Sequence, residues 1–281
     1  MKNKNTYYYM RFPGGKPKAI TLSYDDGVTE DVRFIELMKQ YGFKGTFNLS
    51  YNRISEKPVY LPGKKHRKMT AEEIRATYDS DHTEIACHSF NHRAFALIPP
   101  SEVLYEIAED RKGWEEFTGR IIRGFAYANG SFNDEAVECL RLAGIVYART
   151  TLQTEGFDLP KDWLRLETTC KHRNPRLMEL AEEFAEMQVP KQPKWFYLWG
   201  HTYEFEDDNN WEVIENFFRR MSGLEDVWYA TNMEIYDYIK AYEQLEYSAD
   251  GNWVYNPTST DLWMTNAGED LCIPAGQTVE L

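Results

Sequence analysis

Short apolar runs alternate with amphipathic stretches along most of this chain. Ala19–Tyr24, Gly45–Leu49, Thr83–His88, Arg123–Ala128, Ile145–Arg149, Trp195–Gly200 and Val227–Ala230 read as strands. Between them, Glu30–Tyr41, Met69–Tyr78, Ser101–Phe117, Asn133–Ala143, Pro175–Gln188, Trp211–Met221 and Met233–Leu245 read as helices. Stop and start signals support these limits: Thr70 with Glu73 three residues on has capping-box spacing, and Asn174 precedes Pro175 at a first helical position. About seven strands in alternation with helices predict a parallel α/β architecture, either a barrel or an open doubly wound sheet, with functional residues at the C-terminal strand ends. After about Glu246 the pattern changes to short strand-like pieces, Trp253–Tyr255, Leu262–Met264 and Thr278–Leu281, split by Pro257, Asn266-Ala267-Gly268 and Pro274-Ala275-Gly276. The chain is therefore expected to divide into a main α/β unit over residues 1–245 and a small β appendage over 246–281 with no chemistry of its own.

Composition narrows the partners. The net charge of −13, with no Lys/Arg block, argues against nucleic acid and against an anionic membrane surface. The aromatic content of 15% fits either dense packing or a carbohydrate-stacking surface, which composition alone does not separate. Cys87, Cys139, Cys170 and Cys272 are widely spread with no CxxC pair, so free thiols are expected. The segment Met1–Tyr7 lacks an apolar targeting core and no run reaches membrane-spanning length, which predicts a cytoplasmic protein.

The chemistry concentrates at predicted strand ends. Ala19–Tyr24 leads into Asp25-Asp26-Gly27, which read alone is a turn. Thr83–His88 leads into His88-Ser89-Phe90-Asn91-His92, whose spacing of four would set both imidazoles on one face of a helical turn. One carboxylate and two imidazoles suffice to hold a divalent metal, leaving the second carboxylate to act on water, which is the chemistry of a metal hydrolase. His201, after Trp195–Gly200, is a further acid/base candidate in the second half of the chain.

These residues resemble the NodB-homology polysaccharide deacetylases, carbohydrate esterase family four. The family's T-F-D-D-G motif matches Ser23-Tyr24-Asp25-Asp26-Gly27, its H-[ST]-x-x-H motif matches His88–His92, and Leu198-Trp199-Gly200-His201 resembles its apolar segment ending in histidine. The resemblance runs over roughly Ala19–Lys240. It implies a distorted (β/α) barrel with fewer than eight strands. It also implies that Asp26, His88 and His92 hold one divalent metal, zinc in the first instance with cobalt or nickel as alternatives. Asp25 would be the general base toward water and His201 the general acid to the leaving group.

The third family motif, R-x-P-[YFW]-G, is altered. With Gly130 as anchor, Ala126 stands where the base-orienting arginine is usual and Ala128 where the proline is. Arg123 is then a candidate for the missing guanidinium, and the backbone N–H near Asn129 a candidate oxyanion donor. A fourth motif resembles Asp158–Trp163, in which Asp162 is a candidate to orient His201. Trp163, Trp199 and Tyr203 are candidate sugar-stacking rings. His172 reads as a surface residue, and His66 and His82 receive no role. The expected activity is metal-dependent removal of N- or O-linked acetyl groups from a carbohydrate, with release of acetate. The alternatives are hydrolysis of a small cyclic amide or imide on the same fold, and an inactive carbohydrate-binding protein.

Overall fold

The computed structural model describes residues 7–60, 66–78 and 81–281. The chain runs β1 (Tyr8–Arg11), β2 (Lys18–Asp25), α1 (Asp31–Gln40), β3 (Gly45–Leu49), α2 (Ala71–Thr77), β4 (Thr83–Cys87), α3 (Pro100–Thr118), β5 (Gly124–Ala126) and α4 (Asp134–Leu142). It continues through β6 (Tyr147–Gln153), β7 (Leu166–Thr168), β8 (Cys170–Lys171), α5 (Leu177–Glu186), β9 (Lys194–Gly200), α6 (Tyr203–Asp207), α7 (Glu212–Met221), β10 (Val227–Tyr229) and α8 (Asn232–Tyr242). Five short strands follow: β11 (Glu246–Tyr247), β12 (Trp253–Tyr255), β13 (Leu262–Asn266), β14 (Glu269–Ile273) and β15 (Thr278–Glu280).

The central sheet is parallel throughout, in the order β7-β6-β5-β4-β3-β2-β9-β8. Its two ends, β7 and β8, are consecutive pieces of one segment: Leu166–Thr168 pairs with β6, and Cys170–Lys171 pairs with β9. That segment closes the sheet into a (β/α) barrel of seven strand positions. It was not among the predicted strands, because two and three residues are too few to show a period and Glu167, Thr168 and Thr169 carry no apolar pattern. The predicted strand at Val227–Ala230 forms instead a flank: β10 pairs with Lys18–Ile20 of β2, below the point where β3 takes over the same edge at Leu22.

Both faces of β2 are buried, as a central parallel strand requires. Ile20, Leu22, Tyr24, Phe47, Phe196 and Leu198 point outward beneath the helices, where α7 contributes Ile214, Phe217, Phe218 and Met221 at helical spacing. The inward face is more polar and carries its own hydrogen bonds. Trp195 Nε1 donates to Thr21 Oγ1 (2.9 Å), Asn232 Nδ2 to Tyr197 Oη (2.7 Å), and Tyr147 donates to Glu84. Capping boxes at Thr70/Glu73 and Thr231/Glu234 start α2 and α8.

The C-terminal strands form two small antiparallel sheets, β11-β12-β15 and β1-β13-β14. The second takes β1 from the N-terminal part of the chain, pairing Tyr8–Arg11 with Trp263–Asn266. The four cysteines are free thiols. No helix among the described residues is long and apolar enough to cross a membrane.

Candidate active site

The strands β2, β4 and β9 end at one mouth of the barrel, and their ends carry Asp25, Asp26, His88, His92 and His201. Asp25 closes β2, and the chain then turns through two left-handed residues, Asp26 (φ 88°) and Gly27 (φ 62°). His88 and His92 are joined by a turn that is not the expected helical one, with Ser89 (φ 69°) and His92 (φ 58°) left-handed. Non-glycine residues in this region carry roughly 1–3 kcal/mol of strain each and persist where their surroundings impose it.

Here α3 imposes it. Asp110 accepts from the backbone N–H groups of His88 (2.8 Å) and Tyr51 (2.6 Å). One helical turn away, Glu106 accepts from Ser89 Oγ (2.8 Å) and from Asn91 N and Nδ2 (2.7 Å each). Burial pushes the Asp110 carboxyl up to about 8.

The result is a compact donor set. One ligand atom from each of Asp26, His88 and His92 lies within 4.8 Å of the others, and His92 Nε2 is 3.7 Å from Asp26 Oδ1. His88 Nδ1 lies 2.8 Å from the Ala126 carbonyl oxygen, so it carries the proton and donates, which leaves Nε2 as the free nitrogen. Burial lowers the pKa of both histidines, His92 to about 4, and so keeps them neutral. Neutral imidazoles and an ionised carboxylate are the forms that bind a divalent cation, and three protein ligands with a side open to solvent are what a catalytic metal uses. The residues present fit such an ion.

Asp25 lies against this set and is almost wholly buried. It accepts from Asn48 Nδ2 (2.8 Å), and Arg149 Nη2 donates to both of its oxygens. Burial opposes its ionisation, but Arg149, with His88 and His201, outweighs burial and holds the carboxyl below the usual range. Arg149 answers the altered third motif. It is the direct cross-strand partner of Ala126, so the guanidinium enters the barrel at the same level from the neighbouring strand. Arg123 does not supply it: its side chain is bound to Asp237 (2.8 and 2.9 Å), and it precedes β5, at the far end of the barrel.

His201 faces the two aspartates through Nε2, 3.8 Å from Asp25 Oδ2 and 4.0 Å from Asp26 Oδ2. Its Nδ1 faces Glu204 Oε1 at 3.6 Å, three residues on in α6. Glu204 also accepts from Lys171 Nζ (2.7 Å) and Arg173 Nη1 (3.1 Å) and lies 3.1 Å from His172 Nε2. Burial works against its charge, yet the neighbouring His172 and His201 and the bond from Lys171 prevail and keep it ionised. Glu204 thus takes the position expected of Asp162, whose carboxylate is spent on Leu164 N (2.9 Å) and Arg165 (2.6 Å). His172 is buried rather than on the surface. It packs so closely on β9 that a Cβ at Gly200 would meet its Nδ1 at 2.0 Å.

The aromatic candidates part company. Trp163 packs on Trp195 and Tyr236, near the start of β9 and away from the mouth, so it is a packing residue. Trp199 is 5% exposed and lies under the Arg149 guanidinium (4.6 Å), which makes it a wall of the site rather than a free stacking face. Tyr203 is half-buried at the rim, between His201 (5.2 Å) and His66 (4.2 Å). Asn129 is an exposed left-handed residue (φ 56°) in the turn after β5.

Replacement of Glu204 by glutamine is expected to lower kcat by roughly 10–100-fold, with the fold and metal content retained, because it removes the charge behind His201 but not its shape. Steady-state kinetics beside metal analysis of the same preparation check this.

A (β/α) barrel with an Asp/His/His centre at its C-terminal strand ends defines the class. Residues 12–148 match the family model of the polysaccharide deacetylases. The fold superposes on a Mycobacterium smegmatis structure assigned to the polysaccharide deacetylases (14% identity, TM-score 0.55), covering 84% of this chain and 94% of that one. It also superposes on a family 4 carbohydrate esterase from Streptomyces lividans in complex with acetate (12% identity, TM-score 0.50), covering 76% and 92%. No curated protein matches the sequence. Over residues 12–148 the chain is thus similar to the polysaccharide deacetylases (NodB-homology), a family of carbohydrate deacetylases, and the barrel as a whole shares their fold.

Proposed function

We propose that this protein removes acetyl groups from an acetylated carbohydrate in a reaction that depends on a divalent metal, releasing acetate. The observation that carries this reading is the apposition of Asp25 and His201 across the Asp26–His88–His92 donor set, with Nε2 to Oδ2 at 3.8 Å. When bound, a divalent cation lowers the pKa of water from 15.7 to about 7 and polarises a carbonyl oxygen.

The chain's own residues supply the rest. Asp25, held ionised by Arg149, takes the proton of the attacking water. His201, backed by Glu204, gives a proton to the departing amine or alcohol. Each such transfer contributes about 10²–10⁴-fold. The backbone N–H near Asn129 is the proposed donor to the oxyanion.

Asp26, His92 and His201 are each part-exposed, at 14, 15 and 19% of their side-chain surface, so the reacting groups are reached from the surface of the molecule. A large cavity of about 840 Å³ is lined by Thr83, Glu84 and Arg123, at the opposite end of the barrel. The part-exposed position of Asp26, His92 and His201 at the mouth favours a polymer or oligomer lying across it over a small cyclic imide engulfed by it. Acetate release from acetylated chito-oligosaccharides and acetylated xylan, with a cyclic imide in parallel, tests the reading. Acetate from either glycan, abolished by chelation and restored by zinc, is the expected result. Turnover of the imide alone would overturn it.

A further inference from the structure

Lys68 reaches into the ligand set, and nothing in the deacetylation chemistry uses it. Its Nζ donates to Asp26 Oδ1 and to the Asp26 backbone oxygen, both at 2.7 Å. Oδ1 is the same oxygen that faces His92 Nε2 at 3.7 Å. The Lys68 side chain is only 19% exposed. Its backbone is zipped to the turn that presents Asp26: Val28 and Lys68 form an antiparallel bridge, Met69 N donates to Gly27 O (3.0 Å), and Thr29 N donates to Arg67 O (3.1 Å). The capping box of α2 begins two residues later, and its Glu73 also binds Arg67 (2.7 Å). The ammonium is therefore held in place from both sides of the chain.

The charges balance in pairs: Asp25 with Arg149, and Asp26 with Lys68. A divalent cation on Asp26, His88 and His92 enters a place where one carboxylate oxygen already carries a full ammonium. Its arrival must displace that ammonium or seat two positive charges beside a third, and like charges a few ångströms apart in a part-buried site repel strongly.

We propose that Lys68 is a resident competitor for the metal, neutralising Asp26 in the metal-free protein and weakening divalent-cation affinity. The inference rests on the metal reading above. Zinc affinity, measured by competition with a chromophoric chelator at fixed pH and ionic strength, tests it in wild type, Lys68→Met, Lys68→Gln and Lys68→Arg.

The neutral variants are expected to bind zinc at least about tenfold more tightly, with Lys68→Arg close to wild type. Their metal-free forms should melt lower than wild type, and zinc should raise their Tm by more. Wild type that binds no zinc beside a neutral variant that does supports the inference in its strongest form. Wild type that binds beside folded neutral variants no tighter overturns the role of Lys68 and leaves the metal reading standing. No binding by any of them removes both.

Discussion

Replacing Arg149 by methionine is expected to cut kcat by about 10²–10⁴-fold and to destabilise the fold by roughly 3–5 kcal/mol. Arg149 is fully buried on β6, donates to both oxygens of Asp25, and lies over the Trp199 ring. Removing one partner of a buried pair leaves the other charge uncompensated, which costs far more than the net worth of the pair. Burial is the largest influence on Asp25 and favours its neutral form, so without the guanidinium the carboxyl shifts toward the state that cannot accept a proton. The stability arm has an internal control. The double variant Asp25→Asn/Arg149→Met removes both charges and should be more stable to urea than Arg149→Met alone, while being no more active. Arg149→Met at wild-type stability and rate would mean that this pair is incidental.

The second large effect is on the metal. His88→Ala is expected to weaken zinc binding by more than about 100-fold, exceeding the loss from removing a group that merely orients a ligand. His88 is buried between Ala126 O and the aspartates, with Nε2 turned toward the site. The substitution also strips a partner from a buried carbonyl, at a cost of about 1–3 kcal/mol. Competition with a chelator and thermal melts of the metal-free protein separate the two effects.

How far these groups could be read from sequence depends on where their partners sit in the chain. Asp25, Asp26, His88, His92 and His201 were legible because parallel strands deliver their C-terminal ends to one place, so adjacency to an apolar run was itself positional information. The geometry that makes His88 and His92 converge was not legible. It comes from left-handed backbone at Ser89 and His92, fixed by Glu106 and Asp110 on a helix that follows in sequence.

Arg149 is not visible along the motif's own strand, because the guanidinium stands on the next strand at the same level. A signal did exist: an arginine ending Ile145-Val146-Tyr147-Ala148 is a charge in an apolar strand, and such a charge needs a buried acid. Glu204 was likewise signalled by its place three residues after His201, which a helical turn brings alongside. Asp162 rests on motif order alone and Trp163 on its ring alone, and local partners claim both. The strand Leu166–Lys171 closes the barrel through pairings on two different sides, a property of the whole sheet that no local window contains.

The most direct measurement is zinc content and acetate release on one preparation, wild type beside His88→Ala, with an acetylated chito-oligosaccharide as substrate. About one equivalent of bound metal together with acetate release, both lost in the variant, is the predicted result. Acetate release undiminished in His88→Ala, or no metal bound by wild type even after reconstitution, would contradict the assignment of Asp26, His88 and His92 as a catalytic metal site.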